Sequence, residues 1–162
     1  MKKLLVALLV FGCLMGLATG VYAKTGSAII PHFQNGNDNY LGCFFITNIT
    51  EQPINVKVTF YKTDGGLITG DDNVRTSGIT RCGGADVINY NENLADAAVS
   101  FTLGANATVW VYQVNSNIGY GMIEWSQNSK ATCGLIAYGR NQWLYNGAWN
   151  FYSIPINNGA PF

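Results

Sequence analysis

Charge is scarce in this sequence. Only 11 % of its 162 residues are Asp, Glu, Lys or Arg, and the two signs balance at nine each. With no basic excess, nothing holds a phosphate backbone, so nucleic-acid binding is excluded. A chain that is 48 % apolar also lacks the composition of a disordered protein. Histidine occurs once, as His32. That removes multi-histidine metal sites and most imidazole-based acid–base chemistry. Gly-x-Ser-x-Gly, His-Glu-x-x-His, phosphate-loop and Cys-x-x-Cys patterns are absent. The common signatures of hydrolases, metalloproteases, nucleotide-binding proteins and thioredoxin-like redox centres are therefore missing.

One long apolar run is present, at the start. Lys2 and Lys3 precede a nearly unbroken apolar stretch from Leu4 to Leu17, followed by Ala18-Thr19-Gly20-Val21-Tyr22-Ala23. A positive start, a short apolar run and small residues at its end are what signal peptidase reads. The pattern predicts a leader over residues 1–23 and a new N-terminus at Lys24. The run falls short of the ~20 residues that span a bilayer, so a retained anchor is disfavoured. A lipoprotein cut before Cys13 would need a better residue than Phe11 in the lipobox. The domain over residues 24–162 then carries seven basic and nine acidic side chains. It is expected outside the cytoplasm: secreted, periplasmic or at the cell surface, with no membrane contact after cleavage.

Cys43, Cys82 and Cys133 survive such a cut. An oxidising compartment favours disulfides, and an odd number leaves one thiol over. Cys43 and Cys133 lie in apolar segments that read as buried strands, and Cys82 lies in the glycine-flanked Thr80-Arg81-Cys82-Gly83-Gly84. Of three pairings, Cys43 with Cys133 is preferred, with Cys82 the remaining thiol.

After the leader the hydrophobic period is two. Ile54, Val56, Val58 and Phe60 alternate with Asn55, Lys57, Thr59 and Tyr61; Val99, Phe101 and Leu103 alternate with Ser100 and Thr102. Residues 109–114 are apolar on both faces, which predicts a central strand. Further strands are expected at 27–34, 40–48, 118–125, 131–140 and 149–156, with a short one near Val87-Ile88. Residues 67–68 are read as continuing the strand at 54–62. Pro31 demotes 27–34 to a sheet edge. Asn-, Gly- and Pro-containing turns punctuate these runs. Seven to nine short strands with turns every 8–12 residues predict an all-β fold: a single antiparallel β-sandwich, Ig-like or jelly-roll-like. Residues 70–97 read as a long polar excursion from it.

The order Cys43-Phe44-Phe45-Ile46-Thr47-Asn48, an Asn-bearing turn, then Ile54-Asn55-Val56-Lys57-Val58-Thr59-Phe60-Tyr61 resembles the opening hairpin of small bacterial β-sandwich proteins of the sensory rhodopsin transducer family. The strands at 99–103, 118–125 and 131–140 follow in a similar order. The resemblance spans about 90 residues and rests on strand pattern, not on a signature motif. It implies a sandwich and self-association, and no site residues. That family is cytoplasmic, and this chain departs from it in carrying a leader.

Several side chains invite chemistry. Glu124, in Met122-Ile123-Glu124-Trp125, is a candidate glycosidase carboxylate, but a solvated strand residue explains it as well. Asn35, Asn37 and Asn39 have the alternate spacing of a calcium loop; Ile46 stands where an EF-hand needs Glu. Turn asparagines that bond their own backbone account for them without a metal. No catalytic residue and no cofactor are expected. The aromatics are the strongest feature, above all Trp143-Leu144-Tyr145-Asn146-Gly147-Ala148-Trp149-Asn150-Phe151-Tyr152. Trp149, Phe151 and Trp110 read as core. Trp143, Tyr145 and Trp125 are the candidates to meet a sugar or a protein partner. Ile29, Ile30 and Phe33 are candidate anchors of an N-terminal strand that adds to a neighbour's sheet edge. The expected role is that of an exported structural or interaction protein, a self-assembling surface or appendage subunit, partnered by itself or another envelope protein. A carbohydrate-binding module is the alternative.

Overall fold

A computed structural model describes residues 23–34, 40–68, 87–93, 98–113, 118–128 and 131–162. The proposed leader up to residue 22, Cys82, the turn asparagines Asn35, Asn37 and Asn39, and most of the polar excursion lie outside the described residues.

The strands are β1 (Lys24–Gln34), β2 (Tyr40–Asn48), β3 (Ile54–Lys62), β4 (Val87–Asn93), β5 (Ala98–Leu103), β6 (Thr108–Gln113), β7 (Ile118–Gln127), β8 (Leu135–Tyr145) and β9 (Ala148–Pro155). They form two antiparallel sheets, ordered β1-β7-β3-β5-β4 and β6-β2-β8-β9. The two sheets pack face to face as a β-sandwich.

Alternation decides which face is inside. Along β3, Ile54, Val56, Val58 and Phe60 are buried; along β5, Val99, Phe101 and Leu103 are. They meet Phe44 and Ile46 of β2, Val109 and Val111 of β6, and Leu135 and Ala137 of β8 in one core. Phe60 is its centre, edge-on to Phe33 at 5.4 Å and tilted against Phe44 at 5.8 Å. Two glycines let backbones and rings approach. A Cβ on Gly139 would sit 2.8 Å from the Phe44 ring, and one on Gly119 would collide with the Tyr61 carbonyl oxygen.

Among the described strands, only β4–β5 and β8–β9 are sequential neighbours within a sheet. The β8–β9 turn is Asn146-Gly147, with φ of 50° and 76°. Two positive φ values are the mark of a type I′ turn, whose twist matches the flanking strands.

A polar cluster closes the end of the sandwich where chains cross between sheets. Asn48 is fully buried. Its Nδ2 donates to the carbonyls of Gln52 at 2.8 Å, Gly104 at 2.8 Å and Leu103 at 3.2 Å. Its Oδ1 accepts from the Thr50 backbone N–H at 2.9 Å and from the Thr50 hydroxyl at 2.8 Å. Gln127 reaches the same loop, donating to Thr50 Oγ1, to the Gln52 carbonyl and to the Pro53 carbonyl. One buried amide thus ties three loop carbonyls together.

Four expectations need correction. Residues 109–113 form an edge strand, not a central one. Trp110, on the second apolar face, lies on the outer row of the sandwich. Leu67-Ile68 does not prolong β3: the chain reverses at 63–66, Leu67 bridges back to Tyr61, and Ile68 N–H donates to the Phe60 carbonyl. β8 begins at Leu135, so Cys133 sits in an exposed approach to it. The preferred disulfide fails on register. Cys43 lies opposite Arg140 while Asn48 lies opposite Leu135. Cys133 is further on still, so the two cysteines are more than ~17 Å apart along the ladder at ~3.4 Å per residue. A disulfide needs Cα atoms within ~7 Å. Both thiols are free.

Candidate functional site: an aromatic sheet face

The outward faces of the two sheets differ in chemistry. On β1-β7-β3-β5-β4 the outward residues near the middle are Ser27, Glu124, Lys57 and Ser100, side by side across four strands. They line a shallow recess of about 740 Å³. Hydroxyls with one opposed Lys57–Glu124 pair are what the solvated side of an antiparallel sheet normally carries. Glu124 thus faces a lysine, not a second carboxylate.

The outward face of β6-β2-β8-β9 is built otherwise. Register places Trp110, Phe45, Tyr138 and Pro155 in one row across four strands. Cys43, Arg140 and Ser153 form the next row, Gln142 and Phe151 the one after, then Leu144 and Trp149. Phe151 is 65 % exposed, Trp149 55 % and Tyr138 53 %. Aromatic and β-branched residues suit a pleated surface, so this face costs the fold nothing in strand propensity. Its cost is exposed apolar area, which a monomeric protein rarely leaves in one continuous patch without a use.

Arg140 is the single formal charge among the described side chains on this face. Its guanidinium carbon lies 5.6 Å from the centre of the Phe45 ring and 5.9 Å from that of Phe151. Two ring faces thus share the cation. Its Nε is buried and has no hydrogen-bond partner among the described residues. Phe45 is itself stacked on Tyr138, with centroids 4.7 Å apart and planes 11° apart. These rings stand up from the sheet and occupy one another's faces. Cys43 lies beneath them, 5 % exposed. Burial pushes its thiol up to about 11, with Arg140 pulling the other way. This cysteine is an inert floor, not a nucleophile.

The sequence candidates distribute unevenly over this geometry. Trp125 is 3 % exposed and faces the core, where its indole fills the space left by Gly26 and Gly134. It packs in the core and is not an exposed aromatic. Trp143 and Tyr145 belong to β8 and sit on the opposite side of the hairpin from Trp149 and Leu144. Tyr145 is exposed; Trp143 is half-buried against Tyr152, with centroids 6.0 Å apart. Trp149 and Phe151, read as core from their spacing, are exposed, and Trp110 is on the outward row. Ile30 and Phe33 are fully buried in the core of their own domain, and β1 pairs with β7 of its own sheet. They are not spare anchors for a neighbour. Ile29 alone of that trio is outward and exposed. Phe45, Tyr138 and Arg140 were not singled out by sequence. Only the register that sets Phe45 beside Tyr138 and Arg140 beside Cys43 reveals them.

Among the described residues no group of His, Cys, Asp and Glu could hold a metal ion, and no helix is long and apolar enough to cross a membrane. No protein-family profile and no curated protein matches the chain. Among solved structures the chain is similar to the crystal structure of Thermotoga maritima 1070, at 6 % identity and a TM-score of 0.49, over 80 % of this chain and 90 % of that one.

Proposed function

We propose that this protein is an exported, non-enzymatic interaction module of the cell envelope or exterior, whose working surface is the aromatic outward face of β6-β2-β8-β9. One observation carries the reading. Phe45, Tyr138, Phe151, Leu144 and Trp149 share a face with one cation that is already paired to rings. Interface cores are enriched in aromatics and arginine and poor in other charges, which is the composition of this face. Glu124 faces Lys57 across the strands, so the carboxylate singled out by sequence lacks the opposed second carboxylate that a glycosidase pair would supply. The Met1–Ala23 pattern supports export, and intact mass of protein recovered outside the cytoplasm tests it. Lys24 is the expected first residue; an uncut Met1 or a lipid-modified Cys13 overturns that part.

Carbene footprinting tests the surface. Tyr138, Trp149 and Phe151 should label strongly in dilute purified protein and several-fold less in the native envelope or culture fraction. Equal labelling in both removes the proposal.

A sugar-binding role is the second reading, favoured by Tyr145 and Trp149 at the exposed end of the β8–β9 hairpin. It draws nothing from Phe45 and Tyr138, whose ring faces are taken up by each other. Calorimetric titration with β-linked oligosaccharides, repeated on Tyr145→Ala, tests it.

A further inference from the structure

We infer that the occupant of the aromatic face is a second copy of this chain, packed face to face in a closed dimer; the inference rests on the interaction reading above. Area is the first argument. The four strands have 6, 9, 11 and 8 residues. At ~3.4 Å per residue and ~4.8 Å between strands, the face covers about 550 Å². Two such faces together bury roughly 1,100 Å², which clears the ~1,000 Å² that a specific interface needs.

Charge is the second argument. A partner with an acidic patch would be called for by a cation held out to solvent, but the Arg140 guanidinium lies over the Phe45 and Phe151 rings. What suits the rest of the face is another uncharged aromatic surface. The domain over residues 24–162 carries seven basic and nine acidic side chains, so two copies approach with little long-range repulsion.

Shape is the third. Twisted antiparallel sheets pack on one another at about −30° and ~10 Å, and a sheet paired with its own copy has the matching twist by construction. A two-fold contact of this kind is isologous and closes at two copies. Its axis cannot run through Arg140, because two guanidiniums would then meet in a drying interface. It passes instead to one side, which sets each Arg140 against aromatic rows of the partner.

The test is light scattering with size exclusion on the chain expressed from Met1, at about 1 and 100 µM. Wild type should be a dimer at the higher concentration. Phe151→Glu and, separately, Trp149→Glu should each weaken it by about 30-fold or more, because each sets a carboxylate against rings in a drying contact, with β-rich circular dichroism unchanged. Ser100→Glu, on the other face, should leave the dimer intact. A dimer indifferent to both aromatic substitutions overturns the inference, as does any assembly larger than two. Wild type that stays monomeric at 100 µM also overturns it, and bis-ANS then separates the two levels. Dye binding that Phe151→Glu abolishes leaves the interaction reading standing with a different partner. A monomer on which Phe151→Glu changes no dye binding overturns both.

Discussion

Replacing Asn48 by Asp changes one NH₂ group to oxygen and leaves the shape almost untouched. The consequence should be large. In the wild type the amide donates to the carbonyls of Gln52, Leu103 and Gly104. In the variant an acceptor faces three acceptors in a fully buried site. Losing two donors costs about 1 kcal/mol each, and setting a partly desolvated carboxylate against carbonyl oxygens adds roughly 2–3 kcal/mol. The expected total near pH 7 is about 4–5 kcal/mol, a large share of the ~5–15 kcal/mol that holds a typical domain. The same environment raises the carboxyl pKa in the folded state above its unfolded value of about 3.9. The folded variant therefore binds a proton that the unfolded chain has released. Its stability should be highest below pH 4 and fall as pH rises through the folded pKa, by about 1.36 kcal/mol per unit across that window. Protonation returns one donor, so the penalty at pH 4 should drop to about 2–3 kcal/mol. Asn48→Ala is the control: about 3 kcal/mol, with no added pH dependence. Urea unfolding of the three proteins at pH 4 and 7 measures all of this. An Asp variant within 1 kcal/mol of wild type at pH 7, or one whose penalty does not shrink in acid, refutes the role assigned to Asn48.

Three more tests follow from geometry. Iodoacetamide at pH 8 should modify Cys133 in the folded protein within minutes, and Cys43 only on unfolding, because Cys43 is buried and its thiol is raised to about 11. Equal rates by peptide mapping would contradict this. Gly119→Ala forces a methyl toward the Tyr61 carbonyl oxygen and must spread β3 from β7, at a cost of about 3 kcal/mol or more in urea unfolding. Gly147→Ala meets no atom within 4 Å but holds φ at +76°, so its cost should be purely conformational, about 1 kcal/mol. If the two alanines cost the same, the steric argument for Gly119 is wrong.

Much of the fold is legible in the sequence wherever one side of a strand is apolar and the other polar. β3 and β5 read correctly residue by residue for that reason. The reading fails where both sides are apolar. Val109-Trp110-Val111 suggests a strand buried on two faces, and Trp149 and Phe151 suggest core. In each case alternation is blind to the difference between an inner apolar face and an outer one. The candidate surface was hidden by the same ambiguity. Tyr145, a contact candidate in the sequence that stands just before the Asn146-Gly147 turn, is exposed. Trp125 was misplaced, because nothing local shows that Gly26 and Gly134 make room for an indole beneath the sheet. Pairing between distant strands decided the rest. The preferred Cys43–Cys133 bridge assumed that two strand cysteines lie level, and the register of β2 on β8 sets them far apart.

The order β1-β7-β3 has a consequence for how the chain reaches this state. β1 and β3 never touch as partners; β1 waits for β7, which ends at Gln127, and β3 for β5, which ends at Leu103. Among the described residues, the strands up to Lys62 therefore have no sheet partner within that stretch. Contacts so distant in sequence slow folding, since long loops must close before any pairing rewards them. For the export proposed above, that delay is useful. A thread that emerges N-terminus first finds no sheet partner for β1, β2 or β3 until β5 has been made, and so stays transportable until then.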